Sequence, residues 1–140
     1  MFHYRGTATR AIANHEQIKG SLERHFPDHQ WVTFTPEIPV AEMLKLFTRA
    51  NIIVGAHGAG LANLAFSPTG TRIIEFFPSN MPVMYAVMSK MVGHRHRCIA
   101  IHDESQLDTK QASLTVPIEA AVELVRDMTT HPQPHSLLCP

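Results

Sequence analysis

Ile52-Ile53-Val54, followed at once by Gly55-Ala56-His57-Gly58-Ala59-Gly60, is the stretch that most limits how this chain can fold. Consecutive β-branched apolar residues suit a strand covered on both faces, as in a parallel sheet, because a strand with one wet face shows alternation instead. Glycines at its carboxyl end imply a tight exit into a helix. There, unsatisfied N–H groups and the helix dipole favour an anion beyond the sheet edge. The spacing is G-x-x-G-x-G, not the G-x-G-x-x-G of dinucleotide folds, so NAD is not implied. Glycine spacing alone supports a plainer reading equally well, since a tight turn needs positive φ and close packing whatever is bound.

The flanking sequence alternates between strand and helix patterns. Residues 2–5 suit a short strand, and Ala11, Ile18, Leu22 and Phe26 then recur at helical spacing until Pro27. Trp31-Val32-Thr33-Phe34-Thr35 has strand composition. After Pro39, Val40, Met43, Leu44 and Phe47 fall at i, i+3, i+4 and i+7, which predicts a helix with that face in the core. Beyond the glycines, a short helix over 61–66, a buried strand over 72–77, a helix over 81–92, a strand over 96–101 and a helix over 117–128 are expected. The last helix carries Ile118, Ala121, Val122, Val125 and Met128 on one face. Such alternation predicts right-handed βαβ crossovers and an α/β fold: a single Rossmann-like, doubly wound, mostly parallel sheet. In sheets of this kind ligands bind beyond the carboxyl ends of the strands, where the strand order reverses. Residues 1–130 are expected to form the domain, and 131–140, with Pro132, Pro134 and Pro140, a loose tail.

Composition narrows the function classes. The 140 residues suffice for one core, and 12 basic residues balance 12 acidic ones, leaving no overall charge to draw nucleic acid or an anionic membrane. No apolar run reaches the length of a spanning helix, and no basic-then-apolar leader pattern opens the chain. Cys98 and Cys139 lie far apart and outside any C-x-x-C spacing, which argues against a disulfide framework or structural zinc and fits a reduced, cytoplasmic setting. Phe2-His3-Tyr4 opens directly as a strand, so the chain reads as a segment of something longer.

Several residues stand out as candidates for chemistry. His57, inside the glycine turn, can donate to a phosphate oxygen or a departing nucleotide; as a plainer role, it caps the turn. Asn63 suits holding the loop by side-chain hydrogen bonds more than touching a ligand. Glu75 sits in Ile73-Ile74-Glu75-Phe76-Phe77, where a buried carboxylate needs a partner: ribose hydroxyls, or a base such as Arg72. Arg5 at the end of the first strand, and Arg10 after it, are placed to clamp phosphate. His94-x-His96 would set two imidazoles on one strand face, but no third metal ligand is evident nearby. Asp103 and Glu104, in a loop, read as solvated. No G-x-S-x-G elbow supports a serine hydrolase.

Residues 50–63, with Pro68-x-Gly70 and Ile73-Ile74-Glu75-Phe76-Phe77-Pro78, resemble the C-terminal region of glycosyltransferase family 61. Arg5 and the stretch Arg10, Ile12, Asn14, Glu16 resemble that family's arginine and R-x-I-x-N-E pattern, with His15 where an acidic residue is usual. The resemblance implies the C-terminal half of a two-lobed GT-B enzyme. It also implies inverting transfer of xylose, arabinose or N-acetylglucosamine from a nucleotide donor, UDP-linked in the first instance, to a glycan or glycoprotein acceptor. No cofactor or metal is implied, in keeping with the lack of an Asp-x-Asp motif. By position, Gly55, Gly58, Ala59, Gly60 and Leu61 would contact the diphosphate, His57 would stabilise leaving-group charge, and Glu75 would bind ribose. The acceptor lobe, which should bring the general base, is absent from these residues. A non-catalytic nucleotide- or protein-binding module is therefore the alternative, and an ER or Golgi lumen replaces the cytoplasm if the chain is a piece of a eukaryotic member.

Overall fold

The computed structural model describes residues 2–3, 11–35, 37–78, 82–101 and 115–131. Arg5, Arg10, Asp103, Glu104, Cys139 and the tail beyond His131 lie outside the described residues.

Among the described residues, five parallel strands form one sheet in the order β2-β1-β3-β4-β5, with β1 at Phe2–His3, β2 at Thr33–Phe34, β3 at Ile52–Ala56, β4 at Arg72–Pro78 and β5 at Arg95–Ile101. The chain steps outward from β1 to β2 and then returns to the other side of β1, so the order reverses between β1 and β3. β3 is buried along its whole length and β4 at all but its first residue, as their apolar runs predict, although Glu75 interrupts the run in β4.

Helices cover both faces. On one, α1 (His15–His25) and α4 (Ile118–Thr130) pack over Ile52, Val54, Ala56, Ile74 and Phe76. The other carries α2 (Val40–Thr48), a 3-10 helix (Ala59–Phe66) and α3 (Met84–Val92), over Ile53 and Ile73. This alternation of odd and even positions follows from the two-residue period of a strand.

The final helix matches expectation, with Ala121, Val122, Val125 and Met128 buried and Ile118 packed beside them. α2 does not match in detail. Val40 is 69% exposed, and the inward stripe is Met43, Leu46, Phe47 and Ala50, the same spacing begun one turn later. Phe47 fixes this rotation by meeting the Phe34 ring edge-on at 5.2 Å.

The helix after the glycines is 3-10 and starts at Ala59 rather than at 61. Leu61, Leu64 and Ser67 are all buried, and a turn of three residues stacks such positions on one side whereas 3.6 would scatter them. Positive φ occurs at Gly70 (86°) and Gly93 (79°), the latter closing α3. Gly58, at 161°, is extended backbone, so positive φ is not what calls for glycine there.

Candidate functional site

His57 immediately follows β3, and its backbone N–H donates to the Phe76 carbonyl at 2.9 Å, carrying the ladder one residue past the strand. Strand alternation sends its side chain to the face that bears Ile53, the 3-10 helix and α3. The ring is 4% exposed. Phe77 meets it edge-on with centroids 5.5 Å apart, and Tyr85 lies at 5.0 Å. These aromatic walls leave the imidazole little freedom to turn.

Glu75 comes from the middle of β4 on the same face and is wholly buried. Its carboxylate is shared between two imidazoles: Oε1 lies 2.5 Å from His57 Nδ1, and Oε2 lies 2.9 Å from His96 Nε2. His96 in turn has Nδ1 at 2.7 Å from the Ser89 hydroxyl. Burial by itself would push the Glu75 carboxyl up, but the hydrogen bonds and charge of His57 and His96 outweigh it and hold the group below its ordinary value. Glu75 is thus a carboxylate whose partners are protein groups. Ribose and Arg72 were the partners expected from sequence; Arg72 instead donates from Nε to the Met128 carbonyl at the end of α4.

The glycine loop contributes His57 to this cluster. Gly55 lies within β3, opposite Glu75 in the ladder. The Leu61 N–H donates to Gly58 O at 2.8 Å, the first bond of the 3-10 helix, which leaves Gly58, Ala59 and Gly60 as the residues whose amides have no intrahelical partner. Leu61 has its amide committed and its side chain fully buried; Gly55 and Gly58 are buried too, whereas Ala59 is exposed and Gly60 half-buried. Asn63 holds the loop as anticipated, donating from Nδ2 to Gly60 O at 3.2 Å. Asn14, from the Arg10-to-Glu16 stretch, is a tether: it bonds both the N–H and the carbonyl of Val116.

His94 and His96 lie on one face but do not form a pair. His94 Nε2 meets Leu64 O at 2.8 Å, while His96 belongs to the Glu75 cluster. The i, i+2 spacing placed both imidazoles on one face but gave no sign that His96 meets Glu75. The available signal was Glu75 within the apolar run Ile73–Phe77 of β4, which had to find a partner; β5, opening Arg95-His96-Arg97, did not single out His96. Glu75, His96 and Cys98 do bring one ligand atom each to within 4.8 Å of one another. However, Cys98 is disulfide-bonded, contrary to the sequence expectation, and offers no thiolate.

The family profile described as Glycosyltransferase 61 matches residues 1–74, ending one residue before Glu75. Among similar proteins, an EGF domain-specific O-linked N-acetylglucosamine transferase of Drosophila melanogaster is 30% identical over 94 residues, covering 66% of this chain and 18% of the relative. A protein O-linked-mannose β-1,4-N-acetylglucosaminyltransferase 2, found in Homo sapiens and in Canis lupus familiaris, is 28% identical over 72 residues, covering 51% of this chain and 12% of the relative. The matched stretch is thus less than a fifth of each relative's length. With the profile covering more than half of its residues, including the whole glycine loop, the chain belongs to glycosyltransferase family 61.

Proposed function

We propose that this chain is the donor-binding part of an inverting, metal-independent glycosyltransferase, and that its glycine loop receives the diphosphate of a UDP-sugar. The observation that carries this reading is the coincidence of two features at the end of β3. Amides of Gly58, Ala59 and Gly60 open a helix without intrahelical partners, and His57, braced by a buried carboxylate, stands beside them. Oriented N–H groups and a held imidazole answer a leaving diphosphate without a cation, through electrostatic stabilisation of the charge that develops. The site also lies beside the reversal of strand order, where doubly wound sheets bind ligands.

With Nδ1 committed to Glu75, His57 acts on the donor through Nε2, and Glu75 acts through His57 rather than on ribose. Arg5 and Arg10 are the proposed phosphate clamps. Residues 1–130 serve as one half of a GT-B enzyme, with the acceptor lobe elsewhere in a longer protein. Both kinds of named relative transfer N-acetylglucosamine to protein-linked acceptors, so UDP-N-acetylglucosamine is the proposed donor. The bonded state of Cys98 favours an oxidising, lumenal compartment over the cytoplasm.

Calorimetric titration of the chain with UDP tests the reading, followed by a donor-hydrolysis assay on the same sample. Saturable binding that His57→Ala weakens by about tenfold or more, the equivalent of one charge-assisted hydrogen bond, is the expected result. Binding without turnover would indicate a donor module that needs its other lobe. No UDP binding by the folded chain would overturn the proposal.

A further inference from the structure

We infer that His96, steadied by Ser89, is a positioning residue that fixes the Nδ1–H tautomer of His57 through the shared carboxylate of Glu75. Neither His96 nor Ser89 lies within the residues that the family profile matches. The inference starts from the donor and acceptor inventory. A carboxylate only accepts hydrogen bonds, so each nitrogen facing it must carry a proton: Nδ1 in His57 and Nε2 in His96. A neutral imidazole has one N–H. In His57 that hydrogen is therefore on the carboxylate side, and Nε2 holds the lone pair. In His96 the lone pair is on Nδ1, where the Ser89 hydroxyl, 2.7 Å away, donates to it.

Four elements or their immediate ends supply one group each: the end of β3, β4, β5 and α3. None of these four residues is more than 4% exposed and Glu75 is wholly buried, which shields the carboxylate from solvent. His96 has the particular task of holding Oε2. With that oxygen anchored, the carboxylate cannot rotate about its last bond, and Oε1 stays aimed at His57. Without His96, the buried Oε2 loses its N–H donor and keeps only the Cys98 sulfur, 3.8 Å away, so the carboxylate is free to swivel toward whichever donor it finds.

The consequence for transfer rests on the donor reading given above. An Nε2 that bears a lone pair repels a diphosphate, whereas a protonated Nε2 donates to it. By fixing where the first proton sits, His96 ensures that any second proton is on the donor side.

Ring nitrogen shifts measured by long-range 1H–15N correlation in the histidine-labelled 140-residue chain test this directly, without any ligand. The expected result is a protonated Nδ1 in neutral His57, a protonated Nε2 in His96, and averaged His57 nitrogens in His96→Leu, with His96→Gln restoring the wild-type pattern because its amide can donate to Oε2. Should His96→Leu fail to fold, Ser89→Ala, which removes only the hydroxyl, is expected to broaden or average the His96 nitrogens first and those of His57 with them. A His57 protonated on Nε2 in the unsubstituted chain would overturn the inference, as would a His57 pattern unmoved in every folded variant. Adding UDP afterwards separates the two proposals: no response to UDP overturns the donor reading and leaves the tautomer result standing.

Discussion

The two faces of the sheet are built from the same strands and serve different ends. Toward α1 and α4, β3 and β4 present Ile52, Val54, Ala56, Ile74 and Phe76, an apolar set. Toward the 3-10 helix and α3, the alternate positions begin equally apolar with Ile53 and Ile73, then turn polar at Glu75 and His57, with His96 alongside from β5. A shift of one residue along a strand separates packing from chemistry. Stability can therefore rest on the first face while the second holds a buried network that hydrophobic packing alone would not favour.

The largest expected effects come from opening each face in turn. Phe76→Ala removes a fully buried ring from the apolar side and should cost about 3–5 kcal/mol in urea unfolding, with UDP affinity of the folded fraction unchanged within about twofold. Glu75→Ala should cost a comparable amount, about 3–5 kcal/mol, because two buried imidazoles lose their acceptor. For this reason Glu75→Gln is the better probe of function: it keeps the shape and should cost about 1–3 kcal/mol while still weakening UDP binding. If Phe76→Ala moved UDP affinity as much as Glu75→Gln does, the division of labour between the faces would be disproved.

Acid sharpens the same contrast. The folded-state pKa of Glu75 lies below the ordinary value of 4.5, so its contribution to stability is complete above that pH and is lost as pH falls through the folded value. Urea midpoints measured between about pH 7 and about pH 3 should fall more steeply in the unsubstituted chain than in Glu75→Gln, whereas Phe76→Ala should shift the whole curve without changing its slope. Equal acid slopes in all three proteins would remove the carboxylate from the argument.

The smallest effect concerns the opposite end of the strands. Arg72 and Arg95 each donate to the Met128 carbonyl, and Arg95 also donates to the His131 carbonyl, so two cations close the C-terminus of α4, where the helix dipole is negative. Burial, followed by the charges of Arg72 and Arg97, lowers the Arg95 guanidinium from its ordinary value. Arg72→Ala or Arg95→Ala should cost about 1 kcal/mol by thermal or urea unfolding and leave UDP binding untouched. A loss of UDP affinity here would mean that the α4 face communicates with the donor edge.

The apolar strands and the α4 stripe were legible in the sequence because a strand alternates every two residues and a helix every 3.6, whatever surrounds them. The glycine turn, and the need of the buried Glu75 for a partner, were legible too, since polar residues bounded by apolar runs must find partners. What those partners are could not be read along the chain. Glu75 and His96 are 21 positions apart, and they meet because parallel β4 and β5 are placed edge to edge by a crossover. The same holds for Val40, whose outward position depends on where Phe34 allows Phe47 to sit. Sequence by itself determined which segments were strand or helix and that charge had to be satisfied inside; tertiary structure alone decided which groups satisfied it, because register and helix rotation are set by contacts between segments and not by any pattern within one.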